Sequence, residues 1–134
     1  MQKPLLAEKS GKAYSPAALL ILLVLKIECM ILGIAHSVNG VLIRLTDERW
    51  EHILDSHPEL ASLRETLLDA VENPDYILAS RRGALGAVVV LGRKTFLHVF
   101  YVEKSRRDGF ILSAYLEEKM DKTKILWRKE NQEE

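Results

Sequence analysis

Histidine, serine, tyrosine and arginine side chains are the groups in this chain that could move protons or hold a phosphate. In Thr95-Phe96-Leu97-His98-Val99-Phe100-Tyr101-Val102 the alternation of a strand puts His98 on one face with Phe96, Phe100 and Val102. In Phe110-Ile111-Leu112-Ser113-Ala114-Tyr115 the same period sets Ile111, Ser113 and Tyr115 opposite Phe110, Leu112 and Ala114. A hydroxyl, a phenol and a ring nitrogen beside basic side chains are suitable parts for RNA cleavage. That reaction needs a base for the 2′-hydroxyl, an acid for the leaving oxygen and a cation for the phosphorane charge, and it requires no metal.

Two further histidines stand in the first helical segment. Trp50, Ile53, Leu54 and His57 fall at i, i+3, i+4 and i+7 and share an apolar stripe. His52 lies five residues before His57, about 140° round a helix, so the pair is poorly placed to share a metal. No phosphate-cradling glycine loop, nucleophile elbow or two-histidine metal motif is present, so neither metal nor cofactor is expected. His57 is either a packing residue hydrogen-bonded near the helix end or a proton-transfer group that leaves the stripe there.

The elements that would carry these residues are legible. Asn39-Gly40 between apolar runs signals a hairpin, and Val41–Leu45 is a short strand. Thr46 is a good N-cap, Asp47 and Glu48 suit the helix dipole, and Pro58 disfavours helical geometry at His57. A second helix follows, with Leu60, Leu63, Leu67 and Val71 on one stripe and Asn73-Pro74-Asp75 as its stop. Tyr76–Ser80, Gly86–Leu91, Thr95–Val102 and Phe110–Leu116 are strands rich in β-branched and aromatic residues. Arg81-Arg82-Gly83, Gly92-Arg93-Lys94 and Arg106-Arg107-Asp108-Gly109 are the turns between them. The fold expected is α+β: two N-terminal helices packed on a four-stranded, or slightly larger, antiparallel sheet.

The chain divides into an extension over 1–35, a domain over 36–116 and a charged tail over 117–134, in which Ile125, Leu126 and Trp127 could dock as a last strand or helix turn. Ala17–Leu25 and Met30–Ala35 are apolar around Lys26 and Glu28. The extension has three readings. A signal peptide lacks small residues at a cleavage site. A membrane span over 17–35 would carry Lys26 and Glu28 near its middle, at roughly 2.5–3.5 kcal/mol each. An upstream in-frame extension before Met30 is the simplest. Cys29 is the single cysteine, so no internal disulfide forms, and the location expected is cytoplasmic.

The chain has 19 basic and 19 acidic side chains, which argues against non-specific nucleic-acid binding by net charge. The balance is uneven. Arg44–Asp75 holds three arginines and nine acids, while Tyr76–Asp108 holds Arg81, Arg82, Arg93, Lys94, Lys104, Arg106 and Arg107 against Glu103 and Asp108. The helical half is acidic and the sheet half basic, which is either what a phosphate-backbone ligand would want or the ordinary charge of solvated turns.

Three stretches carry a resemblance: Val41-Leu-Ile-Arg-Leu-Thr-Asp-Glu-Arg-Trp-Glu-His-Ile-Leu-Asp-Ser-His-Pro-Glu-Leu60, Ala70-Val-Glu-Asn-Pro-Asp75 and Gly109-Phe-Ile-Leu-Ser-Ala-Tyr115. Together they resemble the small phage-barnase/EndoU/colicin/RelE-like (BECR-type) nuclease domains over residues 41–116. The resemblance implies a RelE/barnase-like fold and a metal-independent endoribonuclease of toxin or conflict-system type, with RNA as substrate and an antitoxin or immunity protein as partner. Its functional positions map onto His52 or His57 of the first helix, onto Arg82 or Lys94 of the sheet, and onto Ser113 with Tyr115 of the last strand. Ser113 stands where threonine is commoner. The catalytic candidates are therefore His57, His52, Ser113 and Tyr115, and the RNA-binding candidates Arg81, Arg82, Arg93 and Lys94. The alternatives are a non-catalytic RNA- or protein-binding module of the same fold, and a domain tethered to a membrane through residues 17–35.

Overall fold

The Asn39-Gly40 turn folds the chain back on itself. Gly40 takes φ 78, a left-handed conformation that glycine adopts without a Cβ penalty, and its N–H donates to the Ser37 carbonyl at 2.8 Å. The turn joins β1 (Ile31–His36) to β2 (Leu42–Thr46) as an antiparallel pair. The computed structural model describes residues 15–20 and 30–130. Residues 16–20 are helical and belong to a separate unit that ends at Met30; Ile31–Glu134 is the second unit.

The two expected helices form, the second from Arg64 and so without Leu60 and Leu63, and the helical residues 16–20 make a third. Thr46 caps α1 (Asp47–Ser56), its hydroxyl accepting the Arg49 N–H at 3.2 Å. The helix stops at His57, whose φ −137 and ψ 69 lie outside the α region that a following proline disfavours. Pro58–Leu60 makes a single 3₁₀ turn, and α2 (Arg64–Glu72) ends at Asn73, before Pro74. Then come β3 (Tyr76–Ala79), β4 (Leu85–Gly92), β5 (Thr95–Glu103), β6 (Gly109–Glu117) and β7 (Ile125–Arg128).

The fold is α+β, but the sheet is mixed and seven-stranded, in the order β1-β2-β6-β5-β4-β3-β7. The four-stranded antiparallel meander anticipated from the sequence is its centre, β3 to β6. On one side β2 joins β6 in parallel through Ile43↔Gly109 and Arg44↔Phe110. Only glycine allows that approach, because a Cβ on Gly109 would overlap the Val102 carbonyl and the Ile43 side chain. On the other side β7 pairs with β3. The sheet thus reaches past both ends of residues 36–116. Residues 31–36 form a strand, so no continuous helix runs through 17–35; residues 21–29, Cys29 included, lie outside the described residues. Among the described residues no helix is long and apolar enough to cross a membrane.

Both α1 and α2 cover one face. Ile53, Leu60, Leu67 and Val71 pack with Ile43, Leu45, Leu97, Val99, Tyr101, Ile111 and Ala114 in the main core. The other face, free of α-helix within the described part of this unit, carries a smaller cluster, Tyr76, Leu78 and Val88, against which Phe96, Met120 and Ile125 pack. Residues 118–124, between β6 and β7, therefore lie along the helix-free face.

Candidate active site on the helix-free face

The register of β5 and β6 decides which polar side chains meet. His98 pairs with Tyr115 and Phe100 with Ser113, while Tyr101 pairs with Ile111, because the register shifts between Phe100 and Tyr101. Leu112 is the extra residue of a bulge, which changes side-chain parity within the strand. Ile111 is consequently buried in the helix-side core with Ala114, and does not share a face with Ser113 and Tyr115 as strict alternation had implied. Ser113 and Tyr115 fall on the helix-free face, beside Phe100 and His98.

Four rings meet there. His98 stacks on Tyr115 with centroids 5.4 Å apart and planes at 23°, and on Phe100 at 6.1 Å and 21°. Phe100 and Tyr115 are 5.2 Å apart. Gly86, opposite Phe100 on β4, makes room for that ring: a Cβ there would sit 3.1 Å from Phe100 Cε1. The fourth ring comes from the helical layer. His57, at the proline-enforced end of α1, lies 5.7 Å from Tyr115, with Nδ1 3.5 Å from Glu59 Oε2. Beyond the two residue pairs β2 shares with β6, the edge of β6 is left to α1, which lets His57 reach Tyr115.

The rings sit beside a cleft of about 450 Å³ walled by His98, Phe100, Tyr115, Arg81, Lys119 and Lys124 together with Glu117, Asp121 and neighbouring apolar groups. A second cleft of about 500 Å³ shares Ser80, Arg81 and Phe100 with the first and adds Arg82, Val102 and Leu112. The two form a groove with an aromatic floor and a rim of four cations, Arg81, Arg82, Lys119 and Lys124, and two carboxylates, Glu117 and Asp121.

Titration behaviour follows from burial. His98 is 5% exposed and its Nδ1 has no partner in hydrogen-bond geometry. Burial holds its pKa below the ordinary histidine value, against the opposing pull of the Phe96 backbone and the Glu117 carboxylate. Burial, then the Glu117 charge, raises the Tyr115 phenol above its ordinary value. At neutral pH His98 is an uncharged base and Tyr115 an intact hydroxyl donor.

The sequence candidates separate. His57 and His98 each contact Tyr115; Ser113 shares the face of Tyr115 and His98, and neither Ser113 nor His57 walls either cleft. His52 is exposed on α1, away from the rings. Arg81 and Arg82 line the groove, whereas Arg93 and Lys94 occupy the β4–β5 turn. That turn is at the opposite end of β4, roughly 20–25 Å away at about 3.3 Å per residue. Lys119 and Lys124 were not singled out because they lie in the charged tail, whose path across the sheet no local pattern announces. Among the described residues no group of three or more His, Cys, Asp or Glu side chains could hold a metal ion. No protein-family model, curated protein or solved structure matches the chain.

Proposed function

We propose that this protein is a small endoribonuclease that cleaves RNA by attack of a 2′-hydroxyl on the adjacent phosphate, with side chains alone as acid and base. The observation that carries the reading is the stack of His98 on Tyr115, with the His57 ring tilted against Tyr115, beside a groove lined by Arg81, Arg82, Lys119 and Lys124 with Glu117 and Asp121. The resemblance of residues 41–116 to barnase/EndoU/colicin/RelE-like nucleases agrees with it and supplies the expectation of an inhibitory protein partner.

In this account neutral His98 takes the 2′-hydroxyl proton as the 2′-oxygen bonds to phosphorus. The P–O5′ bond breaks and His57 returns a proton to the departing 5′-oxygen. Tyr115, between the two rings, donates a hydrogen bond to a non-bridging oxygen, and Arg81 balances the phosphorane charge. The products are a 2′,3′-cyclic phosphate and a 5′-hydroxyl. Incubation of the full chain with labelled single-stranded RNA in excess EDTA tests this, and those two ends are the expected result.

A second reading is favoured by the near-parallel pairs that His98 makes with Phe100 and with Tyr115, rings against which unpaired bases could stack without being cut. RNA that stays intact while binding with measurable affinity would establish that reading over cleavage.

A further inference from the structure

Arg81 and Lys124 meet in two hollows. One is the ring cleft. The other, about 310 Å³, lies beside it and is walled by Ala79, Ser80, Thr123, Ile125 and Leu126 in addition to the two cations. No carboxylate lines this second hollow. Two hydroxyl side chains do; that of Thr123 donates to Asp121, which leaves Ser80 and the two cations to meet an anion.

Both cations are carried by pinned backbone. The Arg81–Gly83 turn is closed by the Ala84 N–H on the Arg81 carbonyl at 3.0 Å, and the Lys122–Lys124 turn by the Lys124 N–H on the Asp121 carbonyl at 3.1 Å. Asp121, three residues before Lys124, has its carboxylate committed elsewhere: Oδ1 accepts from the Thr123 N–H at 3.0 Å and the Thr123 hydroxyl at 2.6 Å. Among the described residues neither Arg81 nor Lys124 is held in an ion pair. The Asp121 carboxylate feels the Lys124 charge but does not line the hollow, so an anion there meets Arg81 and Lys124 directly.

We infer that Arg81 and Lys124 hold a second phosphate, one link along the backbone from the phosphate that meets the rings. The substrate is then an RNA strand with phosphates on both sides of a nucleotide, and a dinucleotide with a single phosphate is a poor one. The inference rests on the ribonuclease reading for its setting, but the phosphate site can be tested without cleavage. It also gives the segment beyond residue 116, which lies outside the resemblance, a part in substrate choice.

The test titrates the full chain with adenosine 3′,5′-bisphosphate and with adenosine 3′-monophosphate at low salt. The bisphosphate should bind about tenfold more tightly, with a log–log salt slope steeper by about 0.7. Arg81→Met, which also faces the ring phosphate, should weaken both ligands as well as remove the advantage; Lys124→Met should remove the advantage alone, and Lys119→Met, which lines only the ring cleft, should retain it. Equal affinities, no binding of the bisphosphate, or an advantage that survives both substitutions would overturn the site. Lys124-dependent bisphosphate binding by a protein that leaves RNA intact would keep the site and remove the nuclease reading. Cleavage with equal affinity for the two ligands would do the reverse.

Discussion

At the scale of single residues, His98 joins a stability argument to a chemical one. Its imidazole is held neutral by burial, whereas in the unfolded chain it takes up a proton near its ordinary value of about 6.5. The stability it permits is complete above about pH 6.5 and is lost as pH falls from there toward the depressed folded value. Melting temperature should therefore drop between about pH 7 and 5.5 in the native chain, and drop less in His98→Gln. The same shift sets the acid limb of kcat/KM below the ordinary histidine value, since the base works unprotonated. Tyr115, shifted upward, should not titrate below the ordinary phenol range. Arg82 offers a second residue-scale test. Its φ of 55 is a left-handed conformation that costs a residue with a Cβ about 1 kcal/mol or more. Arg82→Gly should raise stability by up to about 1 kcal/mol in chemical denaturation and weaken RNA binding. Weaker folding with unchanged binding would show that the turn is not held in that conformation for its arginine.

At the scale of elements, the bulge at Leu112 explains why β6 can serve two faces. Ile111 and Ala114 both enter the helix-side core while Ser113 and Tyr115 meet Phe100 and His98. Deleting Leu112 leaves Ile111, Ala114 and Leu116 on the core side and Tyr115 beside His98, so the chain should fold, with a melting temperature lower by several degrees. Deleting Ala114 instead turns Tyr115 into the core and Leu116 out of it. Burying that phenol without a partner costs about 1–3 kcal/mol, added to the lost apolar packing, and this variant should lose its near-ultraviolet circular dichroism. Equal melting of the two deletions would contradict the register. The elements also show what the sequence could disclose. Thr46, Pro58 and Pro74 act locally, so both ends of α1 and the end of α2 were readable; the start of α2 at Arg64 was not, since Leu60 and Leu63 precede it and no side chain caps it. Strand periodicity found β3 to β6 but could not locate a bulge, which is a property of the pair. Nor could it tell that the turns before and after β4 lie at opposite ends of that strand: Arg81 and Arg82 meet the groove, while Arg93 and Lys94 do not. β1 was hidden because Met30–Ala35 reads equally well as part of an apolar helix. β7 was legible only as one of two alternatives for Ile125, Leu126 and Trp127, a last strand or a helix turn, because three apolar residues in a charged tail gain a partner only from the exposed edge of β3.

At the scale of the whole molecule, a net charge of zero conceals an arrangement by face. Acids dominate the helical segment and cations rim the groove, so RNA affinity should fall steeply with salt, by a log–log slope near about −0.7 for each phosphate contacted. A flat response would assign binding to ring stacking. The division of contacts at Met30 leads to another expectation: a chain beginning at Met30 should fold with the same cooperative melt as the full protein, and an unfolded product would show that the preceding residues contribute to the core. The central claim, that the helix-free face cuts RNA with its stacked rings, is tested most directly by cleavage rates. Labelled single-stranded RNA in excess EDTA should be cut by the native chain and by His52→Gln at similar rates per folded molecule. His57→Gln and His98→Gln should each be about 10²–10⁴-fold slower, with melting curves supplying the folded fraction. Undiminished cleavage by both ring variants, or no cleavage by the native chain, would contradict the account.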